Sequence, residues 1–168
     1  MDSFKEQIVR KQPTKNDKLA KLFIMIASVA LAALCFIFPF GTQFSVFGIF
    51  FAALSLYGGY YFITRLDVEY EYIFTNGEID VDKITAQRSR KRLITFRCGA
   101  ATDFGVAGED FETPDGRTLV LACACDSEQT DYYINFNHKS LGETTVIFTP
   151  DEDMLALVKP ALPRTLRK

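Results

Sequence analysis

The chain has 168 residues, a formal net charge of −2 and 48% hydrophobic residues, with 16 Phe and no Trp. That length holds one small domain plus an anchor, and a near-neutral balance excludes nucleic-acid binding as the main task, because it implies no strongly basic surface. The cysteines, Cys35, Cys98, Cys123 and Cys125, have neither the number nor the spacing of a disulfide framework and read as reduced thiols.

Residues 1–21 form a basic N-terminal segment carrying Lys5, Arg10, Lys11, Lys15, Lys18 and Lys21. Within it, residues 1–11 place Phe4 and Ile8 on one face of a possible short helix lying in the headgroup plane, the alternative being a frayed basic tail ended by Pro13. From Leu22 to Thr64 there is no Asp, Glu, Lys, Arg or His. A span of the bilayer core takes about 20 apolar residues, so the block fits two helices. Pro39, Gly41, Thr42 and Gln43 divide it, which predicts membrane helices over 22–40 and 44–63. A cleaved signal peptide would have a shorter apolar core and no second run behind it. Cations precede the first helix and none lies in the turn, which places both termini in the cytoplasm and the chain in the cell membrane as a multi-pass protein. Small residues recur four apart (Ser28 and Ala32, Gly48 and Ala52, Ser55 and Gly59), a spacing suited to close helix packing within the hairpin.

Residues 65–168 read as a cytoplasmic β domain. Val68, Tyr70, Tyr72 and Phe74 alternate with Glu69, Glu71 and Ile73, Asn76-Gly77 supplies a hairpin turn, and Ile79 and Val81 resume the alternation. Further strands are predicted over 92–98, 118–125, 132–138 and 144–149, joined as an antiparallel meander, while 99–112 is open between a short helix, an edge strand and a loop. Turns are expected at 114–116, 126–131 and 139–143. Asp151, Glu152 and Asp153 precede Met154, Leu155, Leu157 and Val158, which marks the start of a terminal helix that Pro160 and Pro163 stop or kink. The predicted fold is an α-helical transmembrane hairpin followed by an antiparallel β-rich soluble domain of six or seven strands with a C-terminal helix.

The order VEYEYIFTNGEIDVDKI, then RKRLITF, several strands and a terminal helix resembles the pleckstrin-homology-like (PH-like) domains of bacterial membrane proteins. The opening MDSFKEQIVRKQPT, the paired helices and EYEYIFTNGEIDVDKI resemble the family catalogued as domain of unknown function 6106. The resemblance implies a PH-like fold behind membrane helices. It implies no activity, and no phosphoinositide-binding pattern transfers residue by residue.

The strongest charge feature is Arg88, Arg90, Lys91 and Arg92 in RSRKR. A basic cluster near a membrane anchor attracts anionic headgroups at about 1 kcal/mol per cation. With Lys11 and Lys15 these are the candidate lipid contacts, against the alternative that the loop's cations balance Glu78, Asp80 and Asp82 on the neighbouring strand. Cys123 and Cys125, with Cys98 and the sole histidine, His138, have the residue types of a zinc site but not its spacing. They read as buried thiols, and no metal or cofactor is expected. The acids at 151–153 are explained by helix capping. The chain has no glycine-rich phosphate loop, nucleophile elbow or paired-histidine motif, so an enzyme is not expected. The sequence therefore points to a membrane-anchored interaction or scaffold module at the inner leaflet, in contact with the bilayer and a protein partner and not with nucleic acid. Anionic-lipid recognition by residues 88–92 and an accessory subunit of a larger membrane complex are the alternatives.

Overall fold

The computed structural model describes residues 3–108, 111, 113, 116–125 and 129–167. The chain forms two compact units, one made of Pro13–Asp67 and the other of residues up to Gln12 together with those from Val68 onward.

The helical unit opens with a capping box. Thr14 Oγ1 accepts the Asp17 N–H at 3.2 Å, and the Asp17 carboxylate accepts the Thr14 N–H at 3.1 Å. Helix α1 (Lys15–Ile37) therefore begins well before the apolar run and stops short of Pro39. The turn is held at the Pro39 carbonyl, which accepts from Thr42 Oγ1 (2.7 Å) and Ser45 Oγ (3.0 Å). Helix α2 spans Ser45–Arg65, and each helix is long and apolar enough to cross a membrane. The small residues are used inside the hairpin. A Cβ on Gly59 would come within 2.5 Å of the Ser28 side chain, and Ser55 Oγ donates to the Ser28 carbonyl at 3.0 Å.

In the other unit, β1 (Phe4–Arg10), β2 (Val68–Thr75), β3 (Glu78–Thr85) and β4 (Ser89–Arg97) make an antiparallel sheet in that order. The segment read as a short helix or a frayed tail over residues 1–11 thus holds a strand, one more than the six or seven expected. Strand periodicity aims Val9 into the core at 5% exposure and leaves Phe4 and Ile8 facing out. Their spacing of four is a helical pattern only while the partner strand is out of sight. Register runs from Phe4 opposite Thr75 to Arg10 opposite Glu69, and the Lys11 N–H continues it to the Val68 carbonyl at 3.0 Å.

After a 3-10 turn at Cys98–Ala100, β5 (Ala101–Val106), β6 (Thr118–Ala122), β7 (Tyr132–His138) and β8 (Gly142–Phe148) form a second sheet ordered β5-β7-β8-β6. Residues 101–106 are therefore an edge strand. Pairing is antiparallel except that β6 lies parallel to β8, so this part is not a simple meander. Parts of the expected turns at 114–116 and 126–131, with Glu109, Asp110 and Glu112, lie outside the described residues. Helix α3 (Glu152–Ala161) is capped by Asp151, whose carboxylate accepts the Met154 N–H at 2.6 Å. It runs through Pro160 and ends before Pro163.

The inner faces of the two sheets meet through Tyr72, Phe74, Ile79, Val81, Ile94 and Phe96 on one side and Ile134, Phe136, Val146 and Phe148 on the other, with Met154, Val158 and Leu162 closing the end. Phe96 stacks on Phe136 with centroids 4.8 Å apart, and Tyr72 meets Phe148 edge-on at 5.8 Å. The buried Tyr72 hydroxyl also joins the sheets through polar contacts. It donates to the Ala122 carbonyl and accepts the Thr149 N–H at 3.2 Å. Tyr72→Phe strands both backbone groups away from water and is expected to cost about 1–3 kcal/mol, read from denaturant titration of the full chain. An unchanged midpoint would mean that neither bond contributes.

Candidate functional site

The candidate basic residues lie around the β3–β4 hairpin. Its turn uses Ala86 and Gln87 at φ of 54° and 55°, the left-handed pair that a tight two-strand turn requires. Arg88 follows, exposed, with its N–H on the Thr85 carbonyl at 3.2 Å. A bulge then separates the Val81–Ile94 pair from the Asp82–Arg92 pair. The extra residue, Leu93, realigns β4 so that Arg90 and Arg92 meet the outward acids.

Those acids take up half of the cluster. Arg92 pairs with Asp82 at 2.8 Å and Asp80 at 2.9 Å, and Arg90 reaches Glu71 at 2.7 Å. Arg97 with Glu78 (3.0 Å) and Arg10 with Glu69 (3.1 Å) extend the same pattern across the outer face of the first sheet. Balance by the expected acids of β3 is seen for Arg92 with Asp80 and Asp82, whereas Arg90 pairs with Glu71 of β2 and Glu78 is taken by Arg97. Arg88 and Lys91 carry no ion pair among the described residues, and Lys91 stands opposite Lys83.

Position separates these residues further. Thr85 is opposite Val68, and Arg10 is opposite Glu69, so the β3–β4 turn lies at the end of the sheet where the chain leaves after Gln12 and returns at Val68. Lys11, Arg88 and Lys91 gather at that end. Lys15 begins α1 in the helical unit.

At the opposite end a groove of about 750 Å³ opens between the β2–β3 turn and α3. Phe74, Ala156, Leu157 and Pro160 give it an apolar lining, with Asn76 and Arg97 as polar members. Pro160 has no N–H, so the Ala156 carbonyl lacks the usual helical donor four residues on. No sequence signal marks this groove, because its residues come from four separate segments.

The zinc-type residues do not converge. Cys98 is buried, and burial pushes its thiol up to about 12. His138 Nδ1 sits 3.1 Å from Ser140 Oγ. Among the described residues no cluster of three or more metal-ligating side chains occurs.

Glu71 is the buried acid that sequence reading missed, although its place midway along an alternating strand was a signal. It is 0% exposed, between Ile8 of β1 and Asp82 of β3, and among the described residues its second carboxylate oxygen has no hydrogen-bond partner. Burial raises its carboxyl above the ordinary value, Arg90 lowers it, and Glu6 and Asp82 raise it again, leaving a net rise. A carboxyl that holds its proton more tightly folded than unfolded adds stability at low pH, and that contribution is lost as pH climbs through the folded value. The stability of the parent relative to Glu71→Gln is therefore expected to fall as pH rises above about 4.5. Paired thermal melts from pH 4 to 8 measure this, and a difference flat in pH would refute it.

A family model described as Bacterial PH-like domain (DUF6106) matches residues 1–168, which takes in β1, both long helices and the whole β unit. No curated protein matches the chain.

Proposed function

The chain belongs to the bacterial PH-like domain family DUF6106, and from that premise we propose that it is a membrane-anchored interaction module at the inner leaflet, binding a protein partner through its PH-like unit. The carrying observation is the polarity of the first sheet. One end holds both connections to the apolar helices, and the other holds the groove beside α3. A tethered unit of this kind leaves the groove at the end away from its attachment. The lining suits a partner segment with small apolar side chains. A photo-crosslinking residue at Ala156 in the full chain, in its native membrane, is expected to trap a protein that the same probe at Leu119 does not. Equal yields at both positions would remove the reading.

Pairing of β1 with β2 supports an even number of crossings, since two segments hydrogen-bonded in one sheet share one aqueous side. The cations before α1 and the uncharged turn at 41–43 support the cytoplasm as that side. In intact cells a cysteine introduced at Ser140 is expected to resist an impermeant thiol reagent while one at Thr42 reacts. The reverse pattern would invert the orientation.

A second reading, anionic-lipid contact, is favoured by Arg88 and Lys91 at the tethered end, which carry no ion pair among the described residues. At about 1 kcal/mol each, two cations amount to roughly thirtyfold in occupancy, and tethering supplies the local concentration. A fluorophore at Gln87 of the chain in nanodiscs is expected to report burial with anionic but not neutral lipid. The contrast should vanish when Arg88 and Lys91 become Ser; persistence in that variant would exclude these side chains.

A further inference from the structure

Beyond β6 the chain does not continue as a strand. It bends at Cys123, and Cys125 adopts a left-handed φ of 54°. An extended Cys-Ala-Cys would hold its side chains about 7 Å apart, whereas here the two Sγ atoms lie 3.1 Å apart. The bend is anchored from both directions. The Ala124 N–H donates to Thr149 Oγ1 at 2.8 Å, and the Ala124 carbonyl accepts the Gln12 N–H at 2.8 Å. One thiol, Cys125, is exposed and the other, Cys123, is buried.

We propose that Cys123 and Cys125 are a redox modification site that closes to an intramolecular disulfide with a peroxide as oxidant. Cys125, accessible to solvent, is the sulfur that meets the peroxide. As its thiolate attacks one peroxide oxygen, the O–O bond breaks, and Cys125 sulfenic acid and water result. The Cys123 sulfur then attacks the Cys125 sulfur, the S–O bond breaks, and a second water leaves with the Cys123 proton. Two thiols lose two electrons and two protons, and the peroxide is reduced to two waters. Burial, reinforced by the neighbouring Cys125, pushes the Cys123 thiol up to about 12. Cys123 is thus a poor first target and reacts as the resolving partner, through proximity. Because the Ala124 carbonyl holds Gln12, the last residue of this unit before the helices, closure stiffens the tripeptide on which the N-terminal connection rests.

The test uses the full chain in detergent micelles, treated with hydrogen peroxide, denatured, alkylated and mapped by mass spectrometry. Cys35 and Cys98 are expected to stay alkylatable, while the peptide holding Cys123 and Cys125 becomes two hydrogens lighter and regains both thiols on reduction. In Cys123→Ser, Cys125 should instead accumulate as a sulfenic acid trapped by dimedone, at least tenfold above the parent. Equal dimedone labelling of parent and variant, an intermolecular dimer through Cys125, or four free thiols after treatment would each overturn the proposal. A melt of the reduced variant matching the parent keeps loss of folding from imitating the result.

Discussion

Pairing of β1 with β2 is the constraint on which the rest of the molecule depends. Seven residue pairs join a segment that precedes the apolar helices to one that follows them. The helical hairpin therefore occupies the place of a β1–β2 turn. That pairing also brings β1 against the terminal helix region. Gln7 donates to the Thr149 carbonyl at 3.0 Å and accepts the Asp151 N–H at 2.9 Å, and Lys5 reaches Asp153 at 2.9 Å. One strand from the start of the chain thus braces the first sheet and the entrance to α3, and fixes the two connections side by side.

The second organising feature is the charge pattern on the outer face of the first sheet. Read along the chain, RSRKR is a run of like charge. Across the strands it is half of a cross-strand ladder with Glu71, Asp80 and Asp82. The exposed pairs in it contribute little to stability; their effect is on what remains. With Arg90 and Arg92 occupied, Arg88 and Lys91 are the cations of RSRKR that carry no ion pair among the described residues.

Local signals carried much of the architecture. Period-two alternation from Val68, the Asn76-Gly77 turn and the acids ahead of Met154 each encode one element within a few residues, the uncharged block encodes both long helices, and each of these elements is present. What escaped reading depends on contacts far apart in the chain. Phe4 and Ile8 mimic a helix face until β2 supplies the partner that turns Val9 inward. The parallel seating of β6 beside β8 is a pairing between segments far apart in the chain, which no pattern within β6 announces. Glu71 looks like another exposed acid of an alternating strand until β1 covers it. In the candidate site, the basic residues were visible as types, but which of them are neutralised follows from a bulge at Val81 and Asp82 that no local pattern announces.

The insertion of the helices between β1 and β2 also dictates an order of assembly. The N-terminal strand is synthesised first yet cannot pair until β2 emerges, after both helices. Until then β2 has an open edge, and an open edge is a template for wrong partners. Closing the loop between them as a flexible chain would be slow. Once the helices are paired, however, Gln12 and Val68 are held near one another, and the closure entropy has already been met by helix association. Completion of the β unit is thereby eased by the hairpin: a chain whose helices have not associated closes the same sheet only through a longer, slower loop closure.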